Sequence, residues 1–131
     1  MRLYLDTSAL VKLVVAEDES APLKSFLRER ADDGLFSAAL ARTELIRAVA
    51  PNGAQAIADA RKLLNGLDFV VLSRQLLDDA GTVQPLRLRS LDAIHLVAAQ
   101  RAGDALRAVV SYDARMLSAA ADLGIVTASP R

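Results

Sequence analysis

The stretch RLYLDTSALVKLVV, residues 2–15, sets the pattern from which the fold follows. Arg2 to Leu5 reads as a short buried strand, and Ser8 to Val15 carries on as a helix. The alternation then repeats. Ala21 to Arg30 reads as a second helix, Leu35 to Ser37 as a short strand, and Leu40 to Val49 as a helix stopped by Pro51. Ala54 to Leu64 has apolar residues at helical spacing and ends near Gly66, with Phe69 to Leu72 following as a strand. Gln75 to Ala80 is a short helix closed by Gly81 and Pro85. Leu91 to Arg101 is a strong helix ending at Gly103, Ala108 to Ser111 a strand, Ala114 to Ala121 a helix, and Ile125 to Thr127 a last strand. Strands separated by helices need crossover connections, which give a mostly parallel sheet covered on both faces. The expected class is α/β, a three-layer α/β/α sandwich. Ligands of such sheets gather beyond the carboxyl ends of the strands.

The 131 residues suffice for one domain, spanning residues 1–131. With 53% hydrophobic and 24% charged residues the chain is too apolar to be disordered. Only 4% is aromatic, and the abundance of Ala, Leu and Val favours helices packed closely on small side chains. The absence of cysteine excludes disulfides, thiolate metal sites and cysteine nucleophiles. No apolar run reaches membrane-span length and no cleavage site follows a signal-like core, so a cytoplasmic protein without membrane association is expected.

Sixteen basic residues balance sixteen acidic ones, which on its face argues against a nucleic-acid partner. The objection weakens if four acids are committed to metal, because twelve acids then face sixteen bases. Thirteen of those bases are Arg, the better fork for phosphate.

Four acids stand out by position. Asp6 closes the first strand in LYLDTSAL, where it can cap the next helix, present a carboxylate at the ligand edge, or do both. Ser8 beside it offers a supporting hydroxyl. Asp113 repeats the arrangement in AVVSYDARM, so two strands of one sheet would bring two carboxylates to the same edge. Asp92 lies in the first turn of LDAIHLVAAQRAG, where the helix dipole alone would favour it. Its face also carries His95, Leu96 and Ala99, which points it inward or along a crevice. Glu44, in LARTELIRAVA, borders an apolar stripe of Leu40, Ala41, Leu45 and Ala48; pairing with Arg42 or Arg47 is its alternative.

Carboxylates converging on one point raise one another's pKa, and divalent cations relieve the repulsion. Hard oxygen ligands without Cys select Mg²⁺ or Mn²⁺, and one or two such ions support phosphodiester hydrolysis without a protein nucleophile. His95, the single histidine, could bond Asp92 one turn back or ligate metal, although a lone helix histidine is more often packed. Arg87 and Arg89, just before Asp92, could hold an RNA phosphate or remain solvated loop charges. Tyr112 could stack a base or simply pack.

Taken together, YLDTSALVKL, ARTELIRA, LRSLDAIHLVAA and VVSYDARMLSAA resemble the PIN-domain family, specifically the VapC-type toxins of bacterial toxin–antitoxin pairs. The resemblance covers essentially the whole chain. It implies a PIN-like α/β/α domain with the family's acidic quartet at Asp6, Glu44, Asp92 and Asp113. It also implies Mg²⁺- or Mn²⁺-dependent endoribonuclease activity, inhibition by a cognate antitoxin protein, and a homodimer. Where Thr is frequent two residues before the last acid, this chain has Ser111, which keeps the hydroxyl.

Two other readings compete. A metal-dependent phosphatase with an aspartyl nucleophile would want a second Asp where Ser8 stands. A non-catalytic partner-binding module of the same fold has no need of an intact quartet.

Overall fold

The computed structural model describes residues 1–131 throughout. Its strands are β1 (Arg2–Leu5), β2 (Gly34–Ala38), β3 (Asp68–Val70), β4 (Leu106–Val110) and β5 (Thr127–Ala128). They form one sheet in the order β3-β2-β1-β4-β5, and every pairing is parallel. The helices are α1 (Thr7–Val14), α2 (Ser20–Arg28), α3 (Ala41–Val49), α4 (Ala54–Asn65), α5 (Arg74–Ala80), α6 (Ser90–Gln100) and α7 (Ala114–Asp122). The expected three-layer α/β/α architecture is what the chain adopts.

Strand alternation divides the core between the faces of the sheet. Leu3 and Leu5 of β1 and Ala108 and Val110 of β4 pack with Leu10, Leu23, Leu45, Val49 and Leu64 of α1–α4. The residues between them, Tyr4 and Val109, pack with Phe36 and Ala38 against α5 and α6. Leu96 on α6 meets Met116, Ala119 and Ala120 of α7. His95 to Ala99 are all buried, so α6 is enclosed by the sheet, α5 and α7. The alanines Ala93, Ala98 and Ala99 permit that close approach, as the Ala-rich composition predicts. Beyond α6 the chain turns at Gly103, whose φ of 54° lies in the left-handed region that a side chain disfavours.

Four strands differ in their bounds from the sequence reading: β2 is longer than the expected Leu35 to Ser37, β4 starts and ends earlier than Ala108 to Ser111, and β3 and β5 are shifted. The strand expected at Phe69 to Leu72 is Asp68–Val70, because its pairing with β2 ends at Ala38↔Val70; Val71 projects into solvent, 75% exposed. The strand expected at Ile125 to Thr127 is Thr127–Ala128, in register with Val109 and Val110. Ile125 and Val126 have strand-forming side chains but precede the paired segment. Partner strands, absent from any local window, set these limits.

From β1 the chain passes to β2 and β3 on one side, then crosses to β4 on the other side of β1. The β1/β4 boundary is therefore where the connections diverge, and ligands of such sheets gather beyond the carboxyl ends of the strands at that point.

Candidate active site

Asp6 and Asp113 both stand at this edge of the sheet, and both cap the helix that follows. Asp6 follows β1 directly and caps α1, with Oδ1 accepting the Ala9 N–H at 3.0 Å. Ser8 Oγ donates to the same oxygen at 2.6 Å, and Ser111 Oγ donates to Oδ2 at 2.5 Å. The Ser8 hydroxyl also accepts the Tyr112 N–H at 2.9 Å, which stitches the loop after β1 to the loop after β4. Asp6 is only 3% exposed. Burial raises its pKa even though three hydrogen bonds favour the ionised form. Asp113 caps α7 through the N–H groups of Arg115 and Met116, and its own N–H is held by Ser111 Oγ at 3.0 Å.

Asp92 enters from α6, half-buried, with no hydrogen-bond donor and no Lys or Arg in ion-pair contact. Burial raises its pKa first, then the charge of Asp113; His95 opposes them, and Asp6 adds to the rise. Three of the four expected acids thus act on one another electrostatically. Several acids elsewhere in this molecule find basic partners. Asp33 is gripped at the opposite end of the sheet by Arg107 and the N-terminal ammonium. Glu19 pairs with Lys12 and Arg131, and Asp79 with Arg101. No arginine or lysine makes an ion pair with Asp6, Asp92 or Asp113, although the chain has sixteen such residues.

Glu44 reaches the site from α3, and its partner is not the expected Arg42 or Arg47. Arg42 instead lies over the Phe69 ring. Glu44 Oε1 accepts from Thr7 Oγ1 at 2.7 Å and from His95 Nε2 at 2.6 Å. Burial alone would raise its pKa, but these two hydrogen bonds and the His95 ring prevail and lower it, so Glu44 is ionised at neutral pH. His95, in turn, does not bond Asp92. Its Nδ1 is hydrogen-bonded to the Tyr4 hydroxyl at 2.5 Å, and that hydroxyl accepts the Ala38 N–H at 3.1 Å. Burial pushes the Tyr4 pKa far up, so the phenol keeps its proton. With both ring nitrogens engaged, His95 is a packed support and leaves none for a metal.

Sequence reading missed Thr7 and Tyr4 in this chain of contacts. Thr7, adjacent to Asp6, offered a signal; Tyr4, 91 residues from His95, offered none. Tyr4→Phe should cost roughly 1–3 kcal/mol, because it strands the buried Ala38 N–H and the His95 Nδ1. Urea unfolding at constant slope would register that loss; an unchanged midpoint would contradict it.

Arg87 and Arg89 are exposed and line a groove of about 480 Å³ between the loop before α6 and the surface of α7. Tyr112 packs against the larger core cluster, bonds Pro130 O at 2.8 Å, and has Lys12 and Arg131 over its ring.

The donor set suits a hard divalent cation: three carboxylates without basic partners, one of them without any donor. As the side chains stand, no three acidic or histidine groups close on a common point for an ion. Asp92, unheld by any hydrogen bond, is the one freest to close the set by rotating.

The PIN domain family model matches residues 3–122. Ribonuclease VapC47 of Mycobacterium tuberculosis (strain CDC 1551 / Oshkosh) is 44% identical to the chain, over 98% of it and 96% of that relative. Ribonuclease VapC46 of Mycobacterium tuberculosis (strain ATCC 25618 / H37Rv) is 44% identical over 98% and 97%. The crystal structure of Mycobacterium tuberculosis VapC20, a sarcin–ricin-loop-cleaving toxin, superposes with a TM-score of 0.74 over 98% of this chain and 99% of that one. At 14% identity, that likeness speaks for the fold alone. Identity and coverage of this order, on a fold of this topology, place the chain in the PIN-domain family and in its VapC-type branch.

Proposed function

We propose that the protein is the toxin of a type II toxin–antitoxin pair, a metal-dependent endoribonuclease that hydrolyses RNA phosphodiester bonds. In this reading residues 1–131 form a single ribonuclease domain acting in the cytoplasm, as a homodimer held in check by a cognate antitoxin. The observation that carries it is the group Asp6, Asp92 and Asp113, half-buried or buried, mutually repelling and without basic partners. The ribonuclease names of relatives that match nearly the whole chain support the same reaction class.

Asp6, Asp92 and Asp113 would hold Mg²⁺ or Mn²⁺, which supplies Lewis-acid charge at the phosphodiester and makes water more acidic. The chain's own residues do the rest. Ser8 and Ser111 fix both oxygens of Asp6, so this ligand arrives already oriented. Capping of α7 fixes Asp113 in the same way. Thr7 and His95 hold Glu44 by Oε1 alone, which leaves Oε2 to accept a proton from an attacking water or to join a second ion. Tyr4 locks the His95 ring behind it. Arg87 and Arg89 meet RNA phosphate, and Tyr112 supports the Ser8–Ser111 stitch through its N–H.

An aspartyl phosphatase is less well served by this geometry. Its nucleophile would be Asp6, but the second Asp it wants two residues on is Ser8, whose hydroxyl donates to Asp6 Oδ1 at 2.6 Å. Incubating the purified protein with a mixed RNA pool in Mg²⁺, in Mn²⁺ and in EDTA tests the proposal. Cutting in either metal and none in EDTA is expected. Cutting that persists undiminished in EDTA would refute the metal requirement.

A further inference from the structure

Charge on this surface is distributed unevenly. Five of the thirteen arginines, Arg2, Arg30, Arg101, Arg107 and Arg131, pair with acids, and Arg42 lies over an aromatic ring. Seven do neither, and of these Arg87, Arg89 and Arg115, all exposed, come together to line the one groove of about 480 Å³ described above. Pro85, Leu88, Ala114 and Ala119 make part of its wall.

None of the four site acids lines the groove, but its lining adjoins them along the chain: Ala114 follows Asp113, and Arg89 stands three residues before Asp92. Arg115 is two residues beyond Asp113, and its N–H donates to Asp113 Oδ1 at 2.9 Å. From the other wall, the charge of Arg89 acts on Asp92. Guanidinium groups with no acid to satisfy them, beside a site built for phosphodiester chemistry, are suited to phosphate oxygens. The volume falls in the range of small-ligand clefts and is far too small for a duplex. Its walls carry no aromatic ring, so a base there would stack on a guanidinium plane or lie against Leu88 and Pro85. The one carboxylate in the lining, Asp122, closes α7 nine residues after Asp113, about 13 Å along the helix at 1.5 Å per residue. That leaves the end near Arg115 and Arg89 for phosphate, with Asp122 an acceptor for ribose or base donors at the outer end.

We propose that this groove is the binding site for one nucleotide of single-stranded RNA flanking the bond that is cut, with Arg89 and Arg115 on its phosphate and Arg87 further out. The proposal rests on the ribonuclease reading and adds Arg115 and single-strand selectivity to it. An acidic peptide segment has the same charge as RNA, but a groove whose arginines adjoin Asp92 and Asp113 suits a phosphodiester better.

The test is fluorescence anisotropy of a labelled single-stranded oligoribonucleotide titrated with the full chain over a salt series, with Ca²⁺ replacing Mg²⁺. Arg89→Ala and Arg115→Ala should each weaken binding about 5- to 10-fold and reduce the slope of log affinity against log salt by about 0.7. Arg115→Lys should keep the slope, and a duplex of the same sequence should bind more weakly than the strand. All three side chains are exposed, so the melting temperature should not move. Unchanged affinity and slope in the Arg87→Ala/Arg89→Ala/Arg115→Ala triple variant would overturn the proposal. So would a poly-glutamate peptide that binds more tightly than RNA and is lost in that variant, which would assign the groove to a protein partner. Failure of the ribonuclease reading looks different. RNA held through the three arginines but never cut with Mg²⁺ or Mn²⁺ defeats that reading and spares the groove. Cutting by the triple variant with unchanged KM defeats the groove and spares the ribonuclease.

Discussion

Asp92→Asn should lower RNA cleavage by at least about 100-fold while leaving the fold intact, since second-layer supports of metal ligands already cost 10–100-fold. Of the four candidate acids, Asp92 is the one with nothing else to do. It caps no helix, accepts no hydrogen bond and pairs with no base, and burial together with Asp113 disfavours its charge. A residue so placed loses nothing structural when its charge is removed. Single-turnover cleavage of the RNA pool, compared with wild type at equal folded concentration, is the measurement. Asp92→Asn retaining more than about a tenth of the wild-type rate would remove it from the metal set.

The second large effect is thermodynamic. A carboxyl whose folded pKa lies above its unfolded value binds more protons in the folded state. Asp6 and Asp92 are both raised above the usual 3.8, so their contribution to stability declines as pH rises from that value through the raised one. Without metal, this penalty grows as pH rises. Glu19, Glu44, Asp33 and Asp79 are shifted downward and act oppositely, losing stability as pH falls, so the comparison must be made with a variant at each pH. Asp92→Asn should melt above wild type at pH 7 in EDTA, with the gap narrowing toward pH 4. Mn²⁺ at about 100 times its Kd should stabilise wild type by about 2.7 kcal/mol, on the order of 8 °C in Tm for this size. The variant should gain much less. Equal Mn²⁺ shifts in the two proteins would mean that the ion binds elsewhere.

Much of this site was visible along the chain because its main parts sit where local structure changes. Asp6 and Asp113 each end a strand and start a helix, and that transition can be read from hydrophobic pattern and capping preference alone. Asp92 in a first turn and Glu44 beside an apolar stripe were similarly legible. The partners of Glu44 were not. Sequence spacing offered Arg42 and Arg47 on its own helix, whereas the fold supplied Thr7 from α1 and His95 from α6, 37 and 51 residues away. His95 seemed free to bond Asp92, yet the packing of α6 on the sheet turns its ring between Tyr4 and Glu44. Arg115 is, along the chain, one more arginine at the start of a helix; only the fold sets it across a groove from Arg87 and Arg89.

By itself the sequence determined the alternation of strands and helices, and with it the parallel sheet and the edge where ligands gather, because crossover connections permit little else. Its strand-end and helix-start acids determined which carboxylates reach that edge. Only the tertiary structure decided where β3 and β5 stop, since strand limits belong to the pairing and not to the segment. It alone decided which acids find basic partners and which are left repelling one another. It also joined Tyr4, His95, Glu44 and Thr7 into one supported carboxylate. These are contacts between residues far apart in the chain, fixed by how α1, α3 and α6 pack around the sheet, and no local preference encodes them.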